Sequence, residues 1–107
     1  SNGGVVRNNT GYIGNDSGAN NNLGVVTGAG SLWTNSGDLY VGYSSGAGGN
    51  RLVISNGGVV VSSNGYIGYI GSSNNLVLVN GSGSLWFNRQ DLFIGRSGWG
   101  NQLEISN

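Results

Sequence analysis

The chain contains no cysteine, histidine, proline or methionine, and only 7% of its 107 residues are charged. Without cysteine it can form neither disulfides nor thiolate sites. All four basic residues are arginines, so the many serines lack the histidine or lysine that would activate them as nucleophiles. Net charge is zero, which is untypical of nucleic-acid binders. We therefore expect no enzyme, no cofactor, no metal and no nucleic-acid partner.

Long apolar runs are missing as well. No stretch of about 18 apolar residues occurs, so the sequence predicts no membrane insertion by a helix. The chain begins with Ser1 rather than Met, and no signal peptide is recognisable. The expectation is a mature fragment, or an excerpt of a longer array that continues covalently or stacks head to tail.

What the chain does have is glycine, at 23 residues, and an internal repeat. Ser-Asn-Gly-Gly-Val-Val at 1–6 returns at 55–60, and Gly-Ser-Leu-Trp at 30–33 returns at 83–86. Self-similarity of this kind is typical of solenoids. Each copy divides once more, which predicts a single segment of four rungs: 1–26, 27–54, 55–79 and 80–105.

Every rung contains three short apolar runs separated by Gly, Asn and Ser. In the third rung these runs are 59–61, 66–67 and 76–79. They are short and rich in β-branched residues, which favours strands over helices. Three strands per turn of about 25 residues predict an all-β, three-sided parallel β-helix. In such a solenoid equivalent residues stack along the axis, about 4.8 Å apart.

Alternation along the strands predicts which side chains face the core. In the first strand we expect Val6, Trp33, Val60 and Trp86 to point inward. In the second strand the inward column is Ile13, Val41, Ile67 and Ile94. In the third strand the predicted interior column is Leu23, Leu52, Leu76 and Leu103.

The same alternation leaves large apolar side chains on the outside, which is unusual for a soluble monomer. They predict an interaction surface for lateral contact with another solenoid, a partner or a glycan. Stacking between rungs alone is the other explanation. The candidate residues are Tyr12, Tyr40, Tyr66, Phe93, Leu32, Leu85, Phe87 and Trp99.

Polar residues suggest weaker alternatives. Asp38 and Asp91 are equivalent positions two rungs apart, about 9.6 Å, near the spacing of inverting glycosidases. A repeated Asp in a turn is better explained by hydrogen bonds to its own backbone. The Gly-Asn turns do not match the calcium-binding Gly-Gly-x-Gly-x-Asp pattern.

Asparagines precede the third strand of every rung. Stacked amides can hydrogen bond along the axis of such an array, and free amides can bind sugar hydroxyls. The sequence favours the structural ladder. Its predicted members are Asn21, Asn50, Asn74 and Asn101.

The segments at 30–42 (Gly-Ser-Leu-Trp-Thr-Asn-Ser-Gly-Asp-Leu-Tyr-Val-Gly) and 52–60 (Leu-Val-Ile-Ser-Asn-Gly-Gly-Val-Val) resemble the repeats of large bacterial autotransporter-type surface proteins. The resemblance implies an extracellular or cell-surface β-helical stalk used in adhesion or surface structure. We expect a stiff rod or filament that associates with itself, end to end or laterally. The alternative is a carbohydrate-binding β-helix with an exposed aromatic ladder.

Overall fold

The computed structural model describes residues 3–107, and this part of the chain consists of strands and turns without a helix. The strands are three to five residues long, and their glycine- and asparagine-rich connections set the chain direction for the next side. The strands are β1 Val5–Asn8, β2 Gly11–Ile13, β3 Leu23–Thr27, β4 Leu32–Asn35, β5 Leu39–Val41, β6 Arg51–Ser55, β7 Val59–Ser62, β8 Gly65–Ile67, β9 Leu76–Asn80, β10 Leu85–Asn88, β11 Leu92–Ile94 and β12 Gln102–Ser106.

The strands form three parallel sheets, each with one strand from every turn of the chain. Sheet A has the order β1-β4-β7-β10, sheet B β2-β5-β8-β11 and sheet C β3-β6-β9-β12. The chain is therefore a three-sided parallel β-solenoid of four rungs, as the repeat predicted. We call β1–β3 and β7–β9 the odd rungs, and β4–β6 and β10–β12 the even rungs.

The core runs along the solenoid axis and is closed only in the middle. The side chains that are completely buried belong to the second and third rungs. Their equivalents in the outer rungs are open to solvent, since Val6 is 56% and Ile105 is 72% exposed. Both end faces of the described solenoid thus present apolar core. The fully buried apolar side chains are Leu39, Val41, Ala47, Leu52, Ile54, Val60, Ile67 and Val77.

The first and second strands have the predicted register. The inward column of sheet A pairs Val6 with Trp33, Val60 and Trp86. The inward column of sheet B is Ile13, Val41, Ile67 and Ile94, again as predicted. Ile94 is exposed because it lies in the last rung, with nothing stacked over it.

The predicted column of the third strand is wrong at two of its four members. Leu23 pairs with Arg51, and Arg51 pairs with Leu76, so these three face outward. Leu23 is 58% exposed. Leu52 and Leu103 do face the core, as predicted. The actual interior column is Gly24, Leu52, Val77 and Leu103.

The register of the third strand is set by the polar corner that precedes it. Equivalent positions at this corner are occupied by Asn22, Asn50 and Asn75. The backbone N–H of each donates to the side-chain oxygen of the asparagine in the next rung. The residue after this corner therefore faces outward in every rung. In the second rung that residue is Arg51, and in the first rung it is Leu23. A strand that is apolar on both sides does not itself determine which side faces the core, so the corner determines it.

Odd and even rungs differ inside the core. The even rungs carry Trp33 and Trp86 where the odd rungs carry valine. A methyl group added to Gly65 would lie 2.5 Å from Cζ2 of Trp86, and one added to Gly11 would lie 2.8 Å from Cζ2 of Trp33. Each indole therefore fills the space above a glycine of the preceding rung. This packing makes the repeating unit two rungs rather than one.

Candidate interaction surfaces

The outer face of sheet B carries a continuous aromatic stack. Tyr12 lies 5.2 Å from Tyr40, Tyr40 lies 4.7 Å from Tyr66, and Tyr66 lies 4.9 Å from Phe93, measured between ring centroids. Adjacent ring planes are within 10° of parallel. The parallel register places one ring on each strand, and the strand spacing sets their separation. The predicted column of four aromatic rings is therefore present.

A second aromatic column, which the sequence reasoning missed, lies against the first. Tyr43 meets Tyr40 nearly edge-on at 4.8 Å and 85°, and Tyr69 meets Tyr66 at 4.8 Å and 63°. The guanidinium of Arg96 continues this column, 5.5 Å from the ring of Tyr69. The sequence contained a signal for this column, because Tyr43, Tyr69 and Arg96 each directly follow the glycine after the second strand of their rung. We call the two columns together the aromatic face.

The rings of the aromatic face largely cover one another. Each inner ring has a neighbour on both faces, and Tyr66 is only 7% exposed. Sugars bind aromatic residues through an open ring face, so the inner stack offers them edges and hydroxyls instead. This arrangement favours the structural explanation of the predicted column over a sugar-stacking platform.

Burial also changes the acidity of the inner hydroxyl groups. Burial, and then the nearby charge of Asp38, raises the pKa of Tyr40 well above its ordinary value of 10.0. Burial and Asp38 raise the pKa of Tyr66 in the same direction. The inner tyrosines therefore keep their protons to a higher pH than a free tyrosine does.

The other predicted surface residues do not join the aromatic face. Leu32, Leu85 and Phe87 point outward from sheet A, and Trp99 lies in the turn between β11 and β12. Leu85 and Phe87 are exposed, whereas Leu32 is half-buried. The predicted single surface is thus divided over two sides of the solenoid and one corner.

The outer face of sheet C is a further exposed surface that the prediction did not include. Leu23 and Val25 are exposed in the first rung, and Gln102 and Glu104 occupy the same positions in the last rung. The error in the third-strand register concealed this surface, because it placed Leu23 in the core.

Trp99 borders a shallow depression of about 270 Å³ at the corner between sheets B and C. The indole is 72% exposed. Its backbone N–H donates to Ser73 Oγ at 3.2 Å, and its carbonyl accepts from the backbone N–H of Asn74 at 3.0 Å. Asn20 and three glycines complete the lining. The depression therefore combines one open aromatic ring with uncharged polar groups.

The asparagine ladder exists, but two of its predicted members are displaced by one residue. Asn50 N–H donates to Asn75 Oδ1 at 2.9 Å, and Asn75 N–H donates to Asn101 Oδ1 at 3.0 Å. In the first rung, the backbone N–H of Asn22 donates to Asn50 Oδ1 in the same way. Asn21 and Asn74 instead adopt φ of 59° and 60° beside the ladder. Asn50 and Asn75 are buried, so their amides serve the fold and are closed to sugars.

The sequence suggested that Asp38 bonds to its own backbone, but its carboxylate bonds to the turn of the next rung instead. Its Oδ1 accepts from the backbone N–H of Asn64 at 2.9 Å and from the Asn64 amide at 3.1 Å. The bond joins a turn of an even rung to a turn of the next odd rung. Within residues 3–107 no three His, Cys, Asp or Glu side chains lie close enough together to hold a metal ion.

Comparison of the chain with protein-family models, with curated proteins and with solved structures gives no match. In the part of the chain that the structure describes, no helix is long and apolar enough to cross a membrane. Function therefore has to be argued from the geometry of the solenoid and its surfaces.

Proposed function

We propose that this chain is a structural or adhesive module that forms part of a stiff extracellular rod or filament on a bacterial surface. The observation that supports the proposal is the unbroken hydrogen bonding between rungs on all three sides. The resemblance of the 30–42 and 52–60 segments to autotransporter-type repeats supports the bacterial and extracellular setting.

Three sheets around one axis resist bending better than one sheet does. Bending toward any side has to compress one sheet and stretch the others, while the corner ladders join successive rungs to each other. The Asn50–Asn75–Asn101 ladder ties the turn before sheet C, and the Asp38–Asn64 bonds tie the turn before sheet B. Rigidity along the axis is the mechanical property that a stalk requires.

Saccharide binding at the Trp99 depression is a second candidate function. The supporting observation is an isolated, exposed indole beside hydroxyl and amide groups, with no charged side chain in the lining. An open indole face packs against sugar C–H groups, and the flanking amides can bond to hydroxyls. This candidate differs from the aromatic ladder predicted from sequence, because the ladder rings cover one another.

A glycan array with two matched variants distinguishes the two candidate functions. Trp99→Ala removes the isolated indole, and Phe87→Ala removes another exposed aromatic ring on sheet A. A rod without a sugar site gives no saturable signal for any of the three proteins. Saturable binding that Trp99→Ala abolishes and Phe87→Ala preserves would overturn the purely structural function in favour of saccharide binding.

The rod function itself is tested by pulling single molecules from their two ends. A solenoid that unfolds by rungs should lengthen in steps of about 90 Å, since a rung of about 26 residues extends by about 3.5 Å per residue. Steps of about twice that length would identify the pair of rungs as the mechanical unit. A chain that extends at forces no higher than those that stretch an unfolded chain would contradict a load-bearing role.

A further inference from the structure

The two end faces of the solenoid are complementary in a way that the proposed function alone does not require. We infer that the fourth rung of one copy binds the first rung of a second copy, head to tail and in phase with the two-rung repeat. The inference rests on the proposed rod function and specifies its partner, which is a second copy of this chain.

The end faces are apolar depressions rather than finished surfaces. At the first rung a depression of about 460 Å³ is lined by Val6, Val26 and Trp33 among others. At the fourth rung one of about 210 Å³ is lined by Trp86, Leu92 and Ile105 among others. Core side chains that are fully buried in the middle rungs are thus exposed at both ends. Covering them with a further rung removes apolar area from water.

Equivalents of the residues on the two faces are already in contact inside the molecule. The second rung packs on the third, and most inward residues of these two rungs recur in the fourth and first rungs. Of the five inward positions that are apolar or glycine, the first rung matches the third at four and differs at Gly24, where the third rung has Val77. The sixth inward position is polar and also differs, with Asn8 in the first rung and Ser62 in the third. The identical pairs are Val6 and Val60, Gly11 and Gly65, Ile13 and Ile67, and Val26 and Val79.

The fourth rung likewise matches the second at four of the same five positions. It differs only at Ile94, where the second rung has Val41. A junction between the fourth rung and a second copy's first rung therefore reproduces most of the apolar contacts that the second and third rungs bury between them. The identical pairs are Trp86 and Trp33, Leu92 and Leu39, Leu103 and Leu52, and Ile105 and Ile54.

The polar groups at the corners continue in the same phase. Asp91 is the equivalent of Asp38, and Thr10 is the equivalent of Asn64, so the Asp91 carboxylate is placed to accept from the backbone N–H of Thr10 in the second copy. The backbone N–H of Asn101 is likewise placed to donate to Asn22 Oδ1, as Asn50 does to Asn75. The reverse docking, with two identical faces in contact, would place donors against donors in these ladders.

The test uses two charged variants, one for each face. Val6→Lys places a cation on the first-rung face, and Ile105→Lys places one on the fourth-rung face, at side chains that are already more than half exposed in the monomer. Phe87→Lys is the matched control, because it adds the same charge to an exposed side chain on the outer side of sheet A that does not line the fourth-rung depression. Circular dichroism of each variant verifies that the solenoid is intact.

Sedimentation velocity over a range of concentrations gives the readout. The unmodified chain and Phe87→Lys should form assemblies that grow with concentration, whereas each end-face variant alone should sediment as a monomer. Mixing Val6→Lys with Ile105→Lys should give a dimer and nothing larger, because one open fourth-rung face then meets one open first-rung face.

Other outcomes contradict the inference in distinguishable ways. A dimer formed by either end-face variant alone would show that identical faces associate. Assembly abolished by Phe87→Lys and retained by both end-face variants would show lateral contact. A chain that stays monomeric at every concentration would overturn the head-to-tail junction, while the stepwise unfolding expected of a rod would be unaffected.

Discussion

At the scale of single residues, glycine and tryptophan act as a pair across neighbouring rungs. Gly65 has space for no side chain, because the indole of Trp86 and the Asn88 amide fill the volume above it. The indole N–H is satisfied at the same time by Ser62 Oγ, at 3.2 Å. The alternation of large and small residues could be read from the sequence, but the glycine partner could not, because it lies on a different strand.

A methyl group at Gly65 should therefore be costly. Gly65→Ala places a Cβ 2.5 Å from two rigid neighbours, and we expect the free energy of unfolding to fall by about 1–3 kcal/mol. Gly24→Ala is the control, because its nearest neighbour at 2.9 Å is the terminal methyl of Ile13, which can rotate away. Urea denaturation of both variants measures the difference. Equal losses would contradict the pairing of Gly65 with the indole.

At the scale of strands and turns, corners determine register. Leu23-Gly24-Val25-Val26 and Leu76-Val77-Leu78-Val79 are apolar on both faces, so their alternation does not identify the inner side. The polar Arg51 and Glu104 do identify it in the even rungs. Aligning leucines by similarity across the two kinds of rung therefore gave a displacement of one residue in the odd rungs. The Asn-Asn pairs at 21–22 and 74–75 allowed both alignments.

Substitution of Asn75 should destabilise the solenoid far more than substitution of the neighbouring Asn74. Asn75→Ala removes the acceptor of the Asn50 backbone N–H and the donor to Asn101, and leaves a buried group unpaired. We expect a loss of roughly 2–4 kcal/mol in the free energy of unfolding.

Asn74→Gly is the neighbouring control for this loss. Glycine already occupies the equivalent positive-φ position at Gly49 and Gly100, so we expect a change of less than about 0.5 kcal/mol. Thermal or urea unfolding provides the comparison. A larger loss for Asn74→Gly than for Asn75→Ala would mean that the ladder does not hold the corner.

The aromatic face should make stability sensitive to alkali. In the unfolded chain tyrosine ionises near pH 10, while the raised pKa of Tyr40 and Tyr66 keeps both protonated in the solenoid. The unfolded state then binds fewer protons, so the free energy of unfolding should be constant below about pH 10 and decrease above it, by up to about 1.4 kcal/mol per pH unit for each group.

Urea denaturation at pH 7 to 11.5 measures this dependence. The double variant Tyr40→Phe with Tyr66→Phe should lose most of the decrease, and the presence of Phe93 in the same column indicates that phenylalanine fits there. An unchanged alkaline decrease in the double variant would exclude the inner tyrosines as its source.

At the scale of the whole molecule, the two middle rungs are covered on both sides, and each of the two outer rungs is open on one side. The architecture, the number of rungs and two of the three inward columns could be predicted from the repeat, because spacing alone defines them. The surfaces were predicted less completely, because the outer side of the third strand depends on the corner asparagines and the second aromatic column lies just outside the second strand. Tyr43 and Tyr69 lie two residues beyond the ends of β5 and β8, where alternation along a strand no longer assigns a direction.

Protection against hydrogen exchange should follow this division. Backbone amides of β4–β9 should exchange slowest, and those of β1–β3 and β10–β12 fastest, because the inner strands have partners on both sides and the outer strands on one. Exchange mass spectrometry of the unmodified chain at low concentration measures the gradient. Equal protection in all four rungs would indicate a fully cooperative unit instead.

The pairing of an indole with a glycine one rung away has a consequence for how such a gene can change length. Loss of the third rung, about 26 codons, would stack Trp86 on Trp33 and Leu92 on Leu39, so the indole of Trp86 would meet a leucine in place of Gly65. Loss or duplication of about 53 codons keeps each indole over a glycine. Replication slippage in this stretch is therefore tolerated in whole pairs of turns, and arrays descended from it should differ by multiples of that number.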